Sequence, residues 1–183
     1  YAGSLKVESS GAIVFQPAAS TWAAGVVDLT SSGDVIVNAP VLGASGIVVR
    51  AGRPGGEGSV LVETTSADYS LKMTDPDGRI ALGAGDTAGD VEVHGNVVAD
   101  GEVFLSAPGG FVLQYSGVVN GSRVDMEAGA SIVGLDANGD EVFFGTSTGV
   151  INAQSLGNGD IIVRNLPWGD TGDLDVGYLR TLG

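Results

Sequence analysis

Apolar and polar residues in this chain come in short alternating bursts, most of them led by a glycine. In Gly101-Glu102-Val103-Phe104-Leu105-Ser106, alternation puts Val103 and Leu105 on one side of an extended segment, and Ala107-Pro108-Gly109-Gly110 ends it as a turn. The same phrase starts at Gly11, Gly33, Gly58, Gly78, Gly121, Gly139 and Gly159, with leading glycines 18 to 25 residues apart. Such a period marks a stacked repeat. A second series lies between these strands: Leu5 to Val7, Val27 to Leu29, Ile47 to Val49, Leu71 to Met73, Val91 to Val93, Phe111 to Leu113 and Leu174 to Val176, with Ile132 and Ile151 as weaker members. Here Lys6, Asp28, Lys72, Glu92 and Asp175 alternate with the apolar positions, so one face is wet.

Repeats of about twenty residues with at least two short strands are too short for a strand–helix–strand unit, which needs roughly 30 or more. No segment holds a helical period over 11 residues. The pattern predicts an all-β fold, a right-handed parallel β-solenoid with rungs of about 20 residues, and residues 1–183 as a single domain of about eight rungs. At the ~4.8 Å strand spacing, that is a rod roughly 40 Å long. A β-sandwich of hairpins is the alternative, disfavoured by the regular recurrence of two strand types. Val35, Val37, Ile80, Leu82, Val103, Leu105, Ile161 and Val163 should form the buried stack. Val14, Ile36, Leu61, Ala81, Phe104, Phe143 and Ile162 alternate with the inward positions and form an apolar outer stripe, with Asp125 as its charged exception. A strand apolar on both faces is covered on both faces. Val14, Ile36, Leu61, Phe104, Phe143 and Ile162 are therefore the expected interface, toward a second copy in a homo-oligomer or filament, or toward neighbouring regions of a longer protein.

Composition agrees: 31 glycines and 6% aromatics suit tight turns around a core of small and β-branched residues. A net charge of −14 with only eight Lys and Arg repels nucleic acid and anionic lipid. No apolar run is long enough to span a membrane as a helix. The absence of cysteine suits a secreted bacterial protein stabilised by stacking, and suits cytosolic proteins too. The opening at Tyr1, without an initiator Met, reads as a processed or excised piece.

Candidate chemistry is sparse. With no cysteine and a single histidine, His94, on the wet side of its strand, nucleophilic catalysis has little to work with. Asp75, Asp77, Asp100 and Glu102 are the acids that stacked rungs would bring together for glycoside cleavage, although 22 acids make such proximity expected by chance. Asp136, Asn138 and Asp140 space oxygen ligands as a calcium loop begins, but position 147 is Ser where the bidentate Glu belongs. The same residues also suit a plain turn, and no cofactor other than calcium is suggested. Arg50 and Arg53 flank a glycine-rich excursion that reads as a solvated turn or as a contact for an acidic glycan. Trp22 and Trp168 lie in the less regular ends and read as caps.

The runs Gly33 to Gly52, Gly101 to Gly109 and Val118 to Val133 resemble the repeats of filamentous haemagglutinin-like exoproteins, adhesins of two-partner secretion systems. The Asn-Pro-Asn-Gly turn of that family's secretion domain is absent, since Ser9-Ser10-Gly11 precedes Ile13 and Phe15. The resemblance implies an extracellular or cell-surface location and a structural or adhesive role, not an enzyme. A carbohydrate-active β-helix enzyme and a phage tail fibre or spike segment are the alternatives.

Overall fold

The computed structural model describes residues 3–17, 20–52, 56–63, 69–166 and 175–182, and among these residues it contains strands and no helix. The strands build a parallel β-solenoid of about seven turns with a rung spacing of roughly 23 residues. Each rung has three sides. The first side stacks Leu5–Ser9, Val26–Ser31, Gly46–Arg50, Arg79–Gly83, Glu102–Ala107, the second halves of Val119–Ala128 and Phe144–Ser155, and finally Asp175–Thr181. The second stacks Ile13–Phe15, Val35–Val37, Val60–Val62, Val91–Val93, Val112–Gln114 and Ile132–Leu135. The third stacks Thr21–Ala23, Val41–Gly43, Leu71–Met73, Val97–Ala99, the first halves of Val119–Ala128 and Phe144–Ser155, and Val163–Leu166.

The two strand series of the sequence do not correspond to two sides of the rod. Val35 and Val60 of the glycine-led series lie on the second side, whereas Ile80, Val103 and Val124 lie on the first. Of the other series, Leu29 is on the first side, Leu71 on the third and Val91 on the second. The exchange follows the longest rung, which runs from Ile47 to its partner Ile80 and contains a full third-side strand at Leu71–Met73. Glycines lead strands at two different corners, so their spacing stays near twenty while the side they introduce changes.

Alternation is followed throughout. Val35, Val37, Ile80, Leu82 and Leu105 are completely buried, Val103 is 1% exposed, and Ile161 and Val163 pack half-buried against the core at its C-terminal end. In the middle rungs each inward side chain is covered by its register partners one rung above and one below, which removes the ~1.5–3 kcal/mol exposure cost of a large aliphatic group. Toward the C-terminal end the inside of the third side becomes polar. Thr146 donates to Asn165 Oδ1 at 2.9 Å, the Thr148 amide donates to the same oxygen at 3.1 Å, and Asn165 Nδ2 donates to the Thr148 carbonyl at 3.0 Å. Every one of these buried polar atoms thus gains a partner.

The corners are as tight as the ladders. Where the first side turns into the second, Gly33, Gly58, Gly89 and Gly110 come one rung after another, and a Cβ on Gly58 would lie 2.8 Å from the Gly33 carbonyl oxygen. Gly89 and Gly110 approach the carbonyls of Gly58 and Gly89 closer still. Backbone stacked at strand spacing leaves no room for a side chain here.

Two substitutions test this packing by urea denaturation. Val103→Asp places an unpaired carboxylate in the core and should cost several kcal/mol. Gly110→Ala should cost about 1–3 kcal/mol through overpacking, whereas Gly11→Ala, with open space around the added Cβ, should stay within about 0.5 kcal/mol of wild type. Equal midpoints for Gly110→Ala and Gly11→Ala would contradict the stacked-corner account.

Candidate functional site

On the outside of the first side, register places Lys6, Asp28, Val48, Ala81, Phe104 and Asp125 in one column and Glu8, Thr30, Arg50, Gly83, Ser106 and Glu127 in the next. The rung of Ala81 and Gly83 carries the smallest outward pair, and taller side chains stand on both neighbouring strands. A groove of about 340 Å³ results, floored by Ala81 and Gly83, walled by Val48 and Arg50 on one flank and by Phe104 and Ser106 on the other. Arg79 lines it at the start of the floor strand, and Asp86 and Pro108 line it at the far corner. Arg50 Nη1 lies 3.3 Å from Asp28 Oδ1. Arg79 is exposed and forms no ion pair among the described residues.

A second cleft, of about 370 Å³, opens between the corner at Tyr115 and a hairpin that departs from the solenoid after Leu135. Glu141–Val142 returns antiparallel along Ile132–Leu135, the one antiparallel pairing among the described strands. Phe143 is thereby turned outward, 61% exposed, while Phe144 next to it is fully buried. Gln114 fixes the base of the hairpin, since its Nε2 donates to the Gly145 carbonyl at 3.1 Å and its Oε1 accepts from the Gly145 amide. Leu135, Val142, Arg164 and Leu166 also line it.

The hairpin turn contains the three residues considered for calcium. Asp136 Oδ1 accepts the amides of Asn138 at 2.8 Å and Asp140 at 3.0 Å, Asn138 Nδ2 approaches Oδ2 at 3.5 Å, and Gly139 takes a left-handed conformation with φ 84°. The Asp136 carboxylate thus organises its own turn, and these amides hold its pKa below the ordinary aspartate value. Among the described residues no group of three or more His, Cys, Asp or Glu is placed to hold a metal ion.

His94 lies beyond the end of its strand, stacked on Tyr115 with ring centroids 4.2 Å apart, and its Nε2 is 3.6 Å from Glu92 Oε2. Burial, with Glu92 and Asp90 nearby, raises the Tyr115 hydroxyl pKa. Asp75 caps a turn by accepting the Asp77 amide at 3.0 Å, and the Gly101 corner between Asp100 and Glu102 packs on the backbone carbonyls of Asp75, Pro76 and Gly78.

The six expected interface residues occupy four places. Val14, Ile36 and Leu61 are register neighbours on the second side. Phe104 walls the groove on the first side, Phe143 is on the hairpin, and Ile162 is half-buried near the C-terminal end. They form no single stripe, because their strands belong to different sides. Arg50 reaches the groove, while Arg53, Trp168 and Leu174 lie outside the described residues. The reading from sequence missed Arg79, although Arg79-Ile80-Ala81-Leu82-Gly83 carries small outward residues after a cation.

The chain matches no protein-family model, no curated protein and no solved structure. No helix among the described residues is long and apolar enough to cross a membrane.

Acid titration tests the turn. A depressed folded-state pKa means that the stabilisation by ionised Asp136 is complete above the unfolded value, and is lost as pH falls through the lower folded value. Carboxyl-resolved NMR should give Asp136 a midpoint below 3.8. A midpoint at or above that value would show that the carboxylate does not cap the turn.

Proposed function

We propose that this chain is an extracellular structural or adhesive β-solenoid module that associates laterally with a second copy, or packs on a neighbouring part of a longer parent protein. The observation that carries the reading is the outward column Val14, Ile36 and Leu61, three aliphatic residues in register on consecutive rungs. Val14 is 45% exposed. On the third side Trp22, 50% exposed, stands in register with Leu42 as a second outward apolar pair on the first rungs. Charges bound both: Glu92 follows Leu61, and Lys72 follows Leu42. An exposed apolar column with a charged border is what interaction surfaces present to partners.

Other features support the same role. The inside of the rod is filled by its own side chains, so binding falls to the outer columns. The resemblance of Gly33 to Gly52 and Gly101 to Gly109 to filamentous haemagglutinin-like repeats favours the adhesive and extracellular part of the proposal, and a surface of net charge −14 suits a module that stays dispersed except at a dedicated patch.

Sedimentation equilibrium tests it. Wild-type mass should rise from 18.3 kDa toward at least the dimer with concentration. Val14→Glu with Ile36→Glu should hold it at the monomer, and Phe143→Glu should leave association intact. A wild type that stays monomeric at every concentration would overturn self-association, and loss of association in Phe143→Glu alone would move the interface to the hairpin.

A further inference from the structure

We propose that the groove over Ala81 and Gly83 is a binding site for an acidic oligosaccharide, a ligand longer than one sugar ring that carries carboxylate or sulfate groups. This deepens the adhesive part of the function proposed above, and rests on it for its biological sense, but uses different residues on a different side of the rod.

Charge is the first ground. The chain has eight Lys and Arg against 22 Asp and Glu, yet two of its arginines line this one groove. Arg79 has no ion-pair partner among the described residues, and Arg50 is held only by an exposed contact with Asp28 at 3.3 Å. A guanidinium presents a planar fork of donors that matches a carboxylate or sulfate edge, and keeps its charge at any physiological pH.

Spacing is the second ground. Arg79 is in register with Gly46, and Arg50 with Gly83, so the two arginines start at opposite ends of the groove. Four residues of extended chain separate those register positions, roughly 13 Å at 3.3 Å per residue. A ligand that meets both cations therefore needs anionic groups at two separated points.

Shape and lining supply the third. Phe104 presents a half-buried aromatic wall against which the C–H face of a pyranose can pack, and Ser106 beside it offers a hydroxyl for ring hydroxyls, while Asp86 lines the far corner. Both neighbouring strands stand above the floor, so the groove takes a narrow linear chain across the rod. Long polyphosphate chains such as nucleic acid would meet the acidic remainder of the surface on either side.

The test is a calorimetric titration of the full chain with three oligosaccharides of equal length, an oligouronate, a sulfated glycosaminoglycan fragment and a neutral glucan, while amide NMR follows Ala81 and Gly83. At least one anionic probe should bind at the groove about tenfold more tightly than the glucan, the ratio expected when charged hydrogen bonds are lost; the tighter of the two names the anion. Arg79→Gln and Arg50→Gln should each weaken that binding by about tenfold, and Phe104→Ala should weaken it while the protein stays folded by circular dichroism. Equal binding of the glucan, shifts confined to other sides of the rod, or indifference to both arginine substitutions would overturn the site. Arg79→Gln should leave the sedimentation of the protein unchanged, so the glycan site and the lateral patch can fail separately.

Discussion

Apart from the hairpin strand Glu141–Val142, the described strands find their hydrogen-bond partners one rung above and one rung below, and that constraint shapes the molecule. Strand spacing is fixed near 4.8 Å by the backbone, so the corners that join the strands stack at similar spacing and cannot all carry side chains. Gly58 over Gly33 and Gly89 over Gly58 show the consequence: carbonyl oxygens occupy the space where Cβ atoms would go. The same spacing puts inward aliphatic residues directly over one another, Ile47 on Ile80 on Val103 on Val124, and the rod packs its core without disulfides and, among the described residues, without a helix. Function is left to the outer columns, where the identity of each residue matters less to stability.

Much of the fold was legible because alternation and the glycine period are local. Val35, Val37, Leu82 and Leu105 are buried as their patterns require. The number of sides was harder to read. Strands such as Val97–Ala99 and Val41–Gly43 are short, and the glycines that lead strands serve two corners at similar intervals. A reading that takes every glycine as the same corner changes side without notice once the long rung between Ile47 and Ile80 intervenes.

The candidate sites were less legible, for a related reason. Whether Phe104 extends an apolar stripe or walls a groove depends on its neighbours, and those are Ala81 and Asp125, residues one rung away in space and far away in sequence. Val142-Phe143-Phe144 looks like one more core strand, yet only Phe144 enters the core, because the hairpin at Asp136 reverses the chain and leaves Phe143 outside. Arg50 was visible beside a glycine-rich excursion. Its company with Arg79 appears only when Gly46–Arg50 and Arg79–Gly83 are laid side by side.

Fold and proposed function meet in one claim: a rod filled by its own side chains carries an outward apolar column that, as proposed, a second copy covers. Methyl NMR with a soluble paramagnetic agent addresses it directly, by reading solvent access at Val14, Ile36 and Leu61 as protein concentration rises. The account predicts that these methyls become screened together while Ala81, on the floor of the groove, keeps its access. Uniform access of Val14, Ile36 and Leu61 at all concentrations would contradict it.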